Sequence, residues 1–74
     1  MTFEKLRNLL ADHLEMEASE ITEATTFEDL GVDSLDVAEI MMEVEDEFGI
    51  EIAVAEAGKS VSELVAYIDS KLAE

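Results

Sequence analysis

Apolar residues in "VSELVAYIDSKL" fall at Val61, Leu64, Val65, Ile68 and Leu72. Steps of three and four gather these side chains onto one face of an α-helix and onto no face of a strand. Ser60 and Glu63 stand at capping-box spacing before the run, so a helix is predicted over about Val61–Leu72. The same period recurs at the start of the chain. Phe3, Leu6, Leu10 and Leu14 mark one face of a helix over about Phe3–Leu14, with Thr2 as its N-cap. A further helix is predicted from Ser34 to Phe48. Gly49 stands where such a helix needs a left-handed residue, and Ile50 follows as its hydrophobic contact.

Between the first two helices runs a long connection, "EMEASEITEATTFEDLGVD". Thr25 and Glu28 have capping-box spacing there, which predicts a single turn around Phe27–Leu30. Ile21, Phe27 and Leu30 would tie the loop to the core. Before the last helix, "EIAVAEAG" reads either as an extended start or as a short helix stopped by Gly58. Proline is absent, and no two strong strand signals pair. The class is therefore all-α, a small helical bundle in one domain spanning residues 1–74.

Charge narrows the possible partners. The chain carries 20 acidic and 4 basic residues, a formal net charge of −16. Nucleic acid and anionic membrane surfaces are excluded as natural partners, since both are bound through Lys and Arg. Basic proteins are favoured, with fast, salt-sensitive association, and added salt should firm up the fold. Hydrophobic residues make up 49 % of the chain and are periodic, which separates it from acidic disordered chains. Without cysteine the chain has no thiol, disulfide or iron–sulfur chemistry of its own. No signal peptide or membrane span is expected. The sequence reads as a free-standing cytoplasmic protein and a monomer.

The second helix has two apolar faces. At about 100° per residue, Val37, Ile40, Met41, Val44 and Phe48 cluster on one side, the core face. Leu35, Ala38 and Met42 cluster on the other, surrounded by Asp36, Glu39, Glu43, Glu45 and Asp46. Scattered exposed apolar residues are normal on any protein. An aligned Leu and Met ringed by acids suggests a partner-binding strip instead, in which charge steers and the apolar centre holds. "EVEDEF" lacks the alternating ligands and central glycine of a calcium loop and reads as a solvated helix face; no metal site is expected from the spacing.

The tip of this helix carries one chemical handle. Asp33 is a good N-cap, Asp36 sits at N3, and Ser34 at N1 is presented outward, after a turn that Gly31 permits. Self-sufficient serine catalysis needs a base, and the only histidine, His13, lies at the flank of the first helix's apolar face. "LGVDSLD" also lacks the glycines of a nucleophile elbow, so no catalytic residue is expected. A phosphate ester on Ser34 would be favoured by the helix N-terminus and opposed by the nearby carboxylates. On the residues alone, a plain helix start explains Ser34 as well as modification does.

"FEDLGVDSLDVAEIMMEVEDEFGIEI", residues 27–52, resembles the acyl carrier proteins. Asp33-Ser34-Leu35, the Gly31 before it and the acidic helix ending in "EFGIEI" carry the likeness. The first amphipathic helix, the long loop and the closing "VAYIDSKLAE" extend it over nearly the whole chain. The resemblance implies a four-helix bundle, with three main helices, a short third helix and a long first loop. It implies that Ser34, flanked by Asp33 and Leu35, receives 4′-phosphopantetheine from coenzyme A. The donor enzyme would be a magnesium-dependent phosphopantetheinyl transferase (holo-acyl-carrier-protein synthase), making the chain a phosphoprotein. The arm's thiol would then hold acyl groups, so a cysteine-free, non-enzymatic chain serves thioester chemistry. Leu35, Ala38 and Met42 match positions that contact partner enzymes in that family. Asp36, Glu39, Glu45 and Asp46 match acids that meet basic patches on enzymes of fatty acid or polyketide synthesis.

Two departures stand out. Ala38 replaces a valine usual at its position. After "GIEI" the chain runs "AVAEAGKS" instead of a proline and several acids, which leaves the short third helix over residues 53–58 open. The resemblance also implies an acyl shelter among the helices, with Ile40, Met41 and Val44 as lining. Fatty acid synthesis is the expected pathway. A polyketide or otherwise specialised carrier, or an acidic interaction module never modified at Ser34, is the alternative.

Overall fold

The computed structural model describes residues 1–53 and 56–73. Its helices are α1 (Thr2–Leu14), α2 (Ser34–Phe48) and α3 (Val61–Leu72), with a 3₁₀ turn at Ala18–Glu20 after α1. The described residues contain no strand beyond a single antiparallel bridge between Thr26 and Ser60. The all-α bundle expected from the periodicity is the fold. Its short third helix falls partly on Val54 and Ala55, which lie outside the described residues; beside them, Glu56 N–H donates to Ala53 O at 2.8 Å.

α1 packs against both α2 and α3, and the core lies where the three apolar stripes meet. Leu6 and Leu10 of α1, Ile40 and Val44 of α2, and Val61, Leu64 and Ile68 of α3 are fully buried. Val37 and Phe48 pack around this cluster half-buried. No polar or charged residue is buried among the described residues, so apolar burial carries the stability and every charge stays in contact with water.

The helix ends are set by identifiable groups. At the end of α2 the Gly49 and Ile50 N–H groups both donate to Glu45 O, and Gly49 takes the left-handed conformation, as expected. α1 ends without a glycine: Glu15 itself adopts φ 55°, and its N–H and that of Met16 close onto Ala11 O. The expected N-cap of α1 is corrected. Thr2 lies inside the helix behind Met1, and its hydroxyl donates to Asp69 of α3. The hydroxyl thus ties two helices together rather than serving its own helix end.

The long first loop is sewn to the start of α3. Val61 N–H donates to Thr25 O at 2.8 Å and Ser62 N–H to Glu23 O at 3.0 Å, while Phe27 N–H donates to Lys59 O at 3.0 Å. A helix leaves its first N–H groups without intrahelical acceptors. Here loop carbonyls supply two of those acceptors, and Ser60 Oγ supplies Glu63 N–H with a third. The Glu63 carboxylate turns to Lys59 N–H, one residue short of the reciprocal half of the expected capping box. The box in the loop is displaced as well. Thr26 and Asp29 exchange side-chain-to-backbone bonds at 3.0 and 3.2 Å, one residue beyond the Thr25–Glu28 pair read from the sequence. Thr25 Oγ1 instead accepts from Thr22 N–H. Ile21 and Phe27 anchor the loop in the core, and Leu30 packs half-buried against it.

Phe27 is the loop's largest apolar anchor, at 7 % exposure. Phe27→Ala should therefore cost about 3–5 kcal/mol, comparable to the whole stability of a small domain, about 5 kcal/mol at the low end. Urea unfolding followed by circular dichroism should show a largely unfolded population in buffer. A midpoint close to wild type would mean that the loop is not held through Phe27.

Candidate functional site at the tip and outer face of helix α2

α2 starts where its capping group dictates. Asp33 is extended, at φ −95° and ψ −179°, and its Oδ1 accepts the Asp36 N–H at 2.9 Å. Asp33 O accepts Val37 N–H at 2.9 Å, the first turn of the helix. Before it, the turn at residues 26–31 closes with Leu30 N–H on Thr26 O and Gly31 N–H on Glu28 O. Gly31 then turns the chain at φ 71°, a conformation that disfavours any residue with a Cβ. The result is the arrangement read from the sequence: Ser34 is exposed at the first position of α2. Among the described residues no acceptor meets the N–H groups of Ser34 or Leu35. The tip therefore offers a free hydroxyl beside open N–H donors at the positive end of a helix dipole.

His13 does not serve as a base for Ser34. It sits 20 % exposed on the seam between α1 and α2, with Nδ1 2.5 Å from a Glu43 carboxylate oxygen and Nε2 3.8 Å from one of Glu39. The half-buried position expected for it is observed. Its two partners belong to another helix, so no spacing within α1 points to them.

The second apolar face of α2 is real. Leu35 is 72 % exposed and Met42 64 % exposed, while Met41 beside it is only 2 % exposed. Ala38 is exposed between them. The acids around the strip are not equivalent. Glu39 and Asp46 are exposed and Asp36 is half-buried. Asp36 and Glu39 bring carboxylate oxygens into a group with His13, on the flank facing α1. Glu45 on the other flank is half-buried, and its carboxylate accepts the Ile52 N–H at 2.8 Å, fastening the segment after α2. The Ala53 N–H donates in turn to the Tyr67 hydroxyl of α3.

Ile40, Met41 and Val44, read as lining for an acyl shelter, are packed into the core at 0–2 % exposure. A groove of about 1060 Å³ lies elsewhere, between α1 and α2, with Leu9, Met16, Glu43 and Glu47 among its walls. No helix among the described residues is long and apolar enough to cross a membrane.

A family model described as "Phosphopantetheine attachment site" matches residues 4–68. The acyl carrier proteins of Streptococcus pyogenes serotypes M3 and M1 are each 44 % identical over 69 residues, covering 93 % of this chain and 93 % of theirs. That of Streptococcus thermophilus (strain CNRZ 1066) is 42 % identical over the same length, again covering 93 % of each chain.

The cap at Asp33 is separable from its charge. Asp33→Asn keeps an acceptor for the Asp36 N–H and Asp33→Ala removes it, while both remove one negative charge. The alanine variant should be less stable than the asparagine variant by about 1 kcal/mol. Parallel urea titrations measure the difference; equal midpoints would show that Asp33 does not cap α2.

Proposed function

The chain belongs to the acyl carrier proteins, the family that bears a phosphopantetheine attachment site, and on that premise we propose that Ser34 is its point of attachment. One observation carries this reading: Ser34 is exposed at the tip of α2 with unpartnered N–H groups beside it among the described residues. The group fits there. A phosphodiester on Ser34 Oγ can take hydrogen bonds from those N–H groups and is favoured by the helix dipole. The attached arm supplies a thiol that carries acyl groups as thioesters.

The chain's own residues present and orient. Asp33 holds the first turn of α2 in place, Gly31 aims the approach, and Ser34 offers its oxygen. In loading, that oxygen forms a bond to the pantetheine-bearing phosphorus of coenzyme A's pyrophosphate. The phosphoanhydride bond breaks, 3′,5′-ADP leaves, and the serine proton passes to a base on the transferase. The base must come from the transferase because this chain commits its only histidine to the α1–α2 seam. The chain is then a carrier with no catalysis of its own.

Leu35, Ala38 and Met42 form the strip that meets the phosphopantetheinyl transferase and the synthesis enzymes. Asp36, Glu39, Glu45 and Asp46 supply the negative rim that steers basic surfaces toward it, with Glu45 contributing from a fixed position. The whole of residues 1–74 acts as one acyl carrier domain, a cytoplasmic monomer serving fatty acid synthesis. A polyketide or specialised pathway remains the alternative, since the enzymes rather than the carrier choose the cargo. The flexible arm delivers that cargo to successive enzymes at high effective concentration.

Intact mass tests the reading. After incubation with coenzyme A, magnesium and a broad-specificity transferase, wild type should gain one phosphopantetheine and Ser34→Ala none. A folded wild type that takes up nothing, and carries no such group beforehand, would leave an unmodified acidic interaction module as the function.

A further inference from the structure

On the flank of α2 that faces α1, two acids of the proposed partner rim, Asp36 and Glu39, meet His13 and Glu43, to which the carrier role gives no part. Asp36, Glu39 and Glu43 lie three and four residues apart, so they share one flank of the helix. His13, from the last turn of α1, reaches across to them. One ligand atom each of His13, Asp36 and Glu39 lie within 4.8 Å of one another. The fourth side chain, Glu43, holds the other ring nitrogen at 2.5 Å. We propose that His13, Asp36 and Glu39 form a site for a zinc-class divalent transition ion, bound by the imidazole Nε2 and two carboxylate oxygens, with Glu43 positioning the ring.

The chemistry of the set selects the class of ion. Magnesium and calcium take six or more oxygen donors, whereas an imidazole nitrogen suits zinc and its neighbours. A carboxylate against Nδ1 holds the ring proton there and turns the Nε2 lone pair toward the ligands, the arrangement that commonly supports metal-binding histidines. Nε2 already points at Glu39, 3.8 Å away. Tetrahedral zinc, with ligand distances near 2.1 Å, needs donor atoms roughly 3.4 Å apart. Closing the group from 4.8 Å requires shifts of about 1 Å. Exposed Glu39 and half-buried Asp36 can make such shifts by side-chain rotation. Three protein ligands leave the fourth position to water. An ion there would clip α1 to α2 near the Ser34 end of the bundle and relieve the crowding of three carboxylates. The site rests on these side chains alone and is independent of the carrier reading.

The test uses the full, unmodified chain, titrated calorimetrically with zinc and, separately, with calcium at moderate salt. Wild type should take up one zinc per chain more tightly than calcium. His13→Gln should weaken zinc by more than roughly tenfold and leave calcium unchanged, and Glu43→Gln should weaken zinc by about 10–100-fold. Circular dichroism of the metal-free variants checks that each is folded. Should either fail to fold, cobalt(II) added to ¹⁵N-labelled wild type gives the answer without a variant. Its paramagnetic broadening should begin at the amides of residues 13, 36 and 39. Zinc bound no better than calcium, a His13→Gln loss smaller than tenfold, or broadening spread evenly over the acidic surface would each overturn the proposal.

Discussion

Everything in this molecule depends on a small aliphatic core holding together a surface that repels itself. With a net charge of −16 on 74 residues, the compact state works against its own electrostatic field. Burial of Leu6, Leu10, Ile40, Val44, Leu64 and Ile68 is the opposing term, and no buried ion pair among the described residues assists it. This gives weight to the backbone capping. Loop carbonyls accept from the first N–H groups of α3, Asp33 accepts one N–H at the start of α2, and Glu45 accepts from the chain that leaves α2, while the Ser34 and Leu35 N–H groups stay open among the described residues. Where the core is small, unpaired backbone groups would be a large fraction of the net stability.

The same balance shapes the functional helix. α2 can be apolar on two sides only because one side is fully committed to the core. Ile40, Met41 and Val44 fix its orientation, and that orientation places Leu35 and Met42 outward. Five of the chain's acids, Asp36, Glu39, Glu43, Glu45 and Asp46, surround that strip. In the proposed carrier role, the side chains that cost stability are the ones that would steer a basic partner.

Much of this was legible in the sequence. Period-3.6 spacing located the three helices, and Asp33 and Gly49 set the limits of α2 at Ser34 and Phe48. Local capping rules sufficed there because both signals act within one turn. The exposure of Ser34 and the two faces of α2 followed from the same geometry. What escaped depends on contacts between distant residues. Thr2 has the residue type and position of a cap, but Asp69 of α3 takes its hydroxyl. Thr25 and Glu28 matched a capping box, yet Thr25 O is drawn to Val61 N–H and the box forms at Thr26 and Asp29. The His13–Glu43 contact joins two helices, and no spacing rule within one segment reveals it.

In the function we propose, recognition occurs on the tip and outer face of α2 while α1 and α3 hold that helix. The most direct measurement is a ¹⁵N–¹H spectrum of the unmodified protein titrated with a phosphopantetheinyl transferase. Perturbations centred on Ser34, Leu35, Ala38 and Met42, with the exposed sides of α1 and α3 unmoved, are the expected result. Perturbations centred on α1 or α3, with the α2 strip unmoved, would place recognition elsewhere and overturn the proposed role of α2.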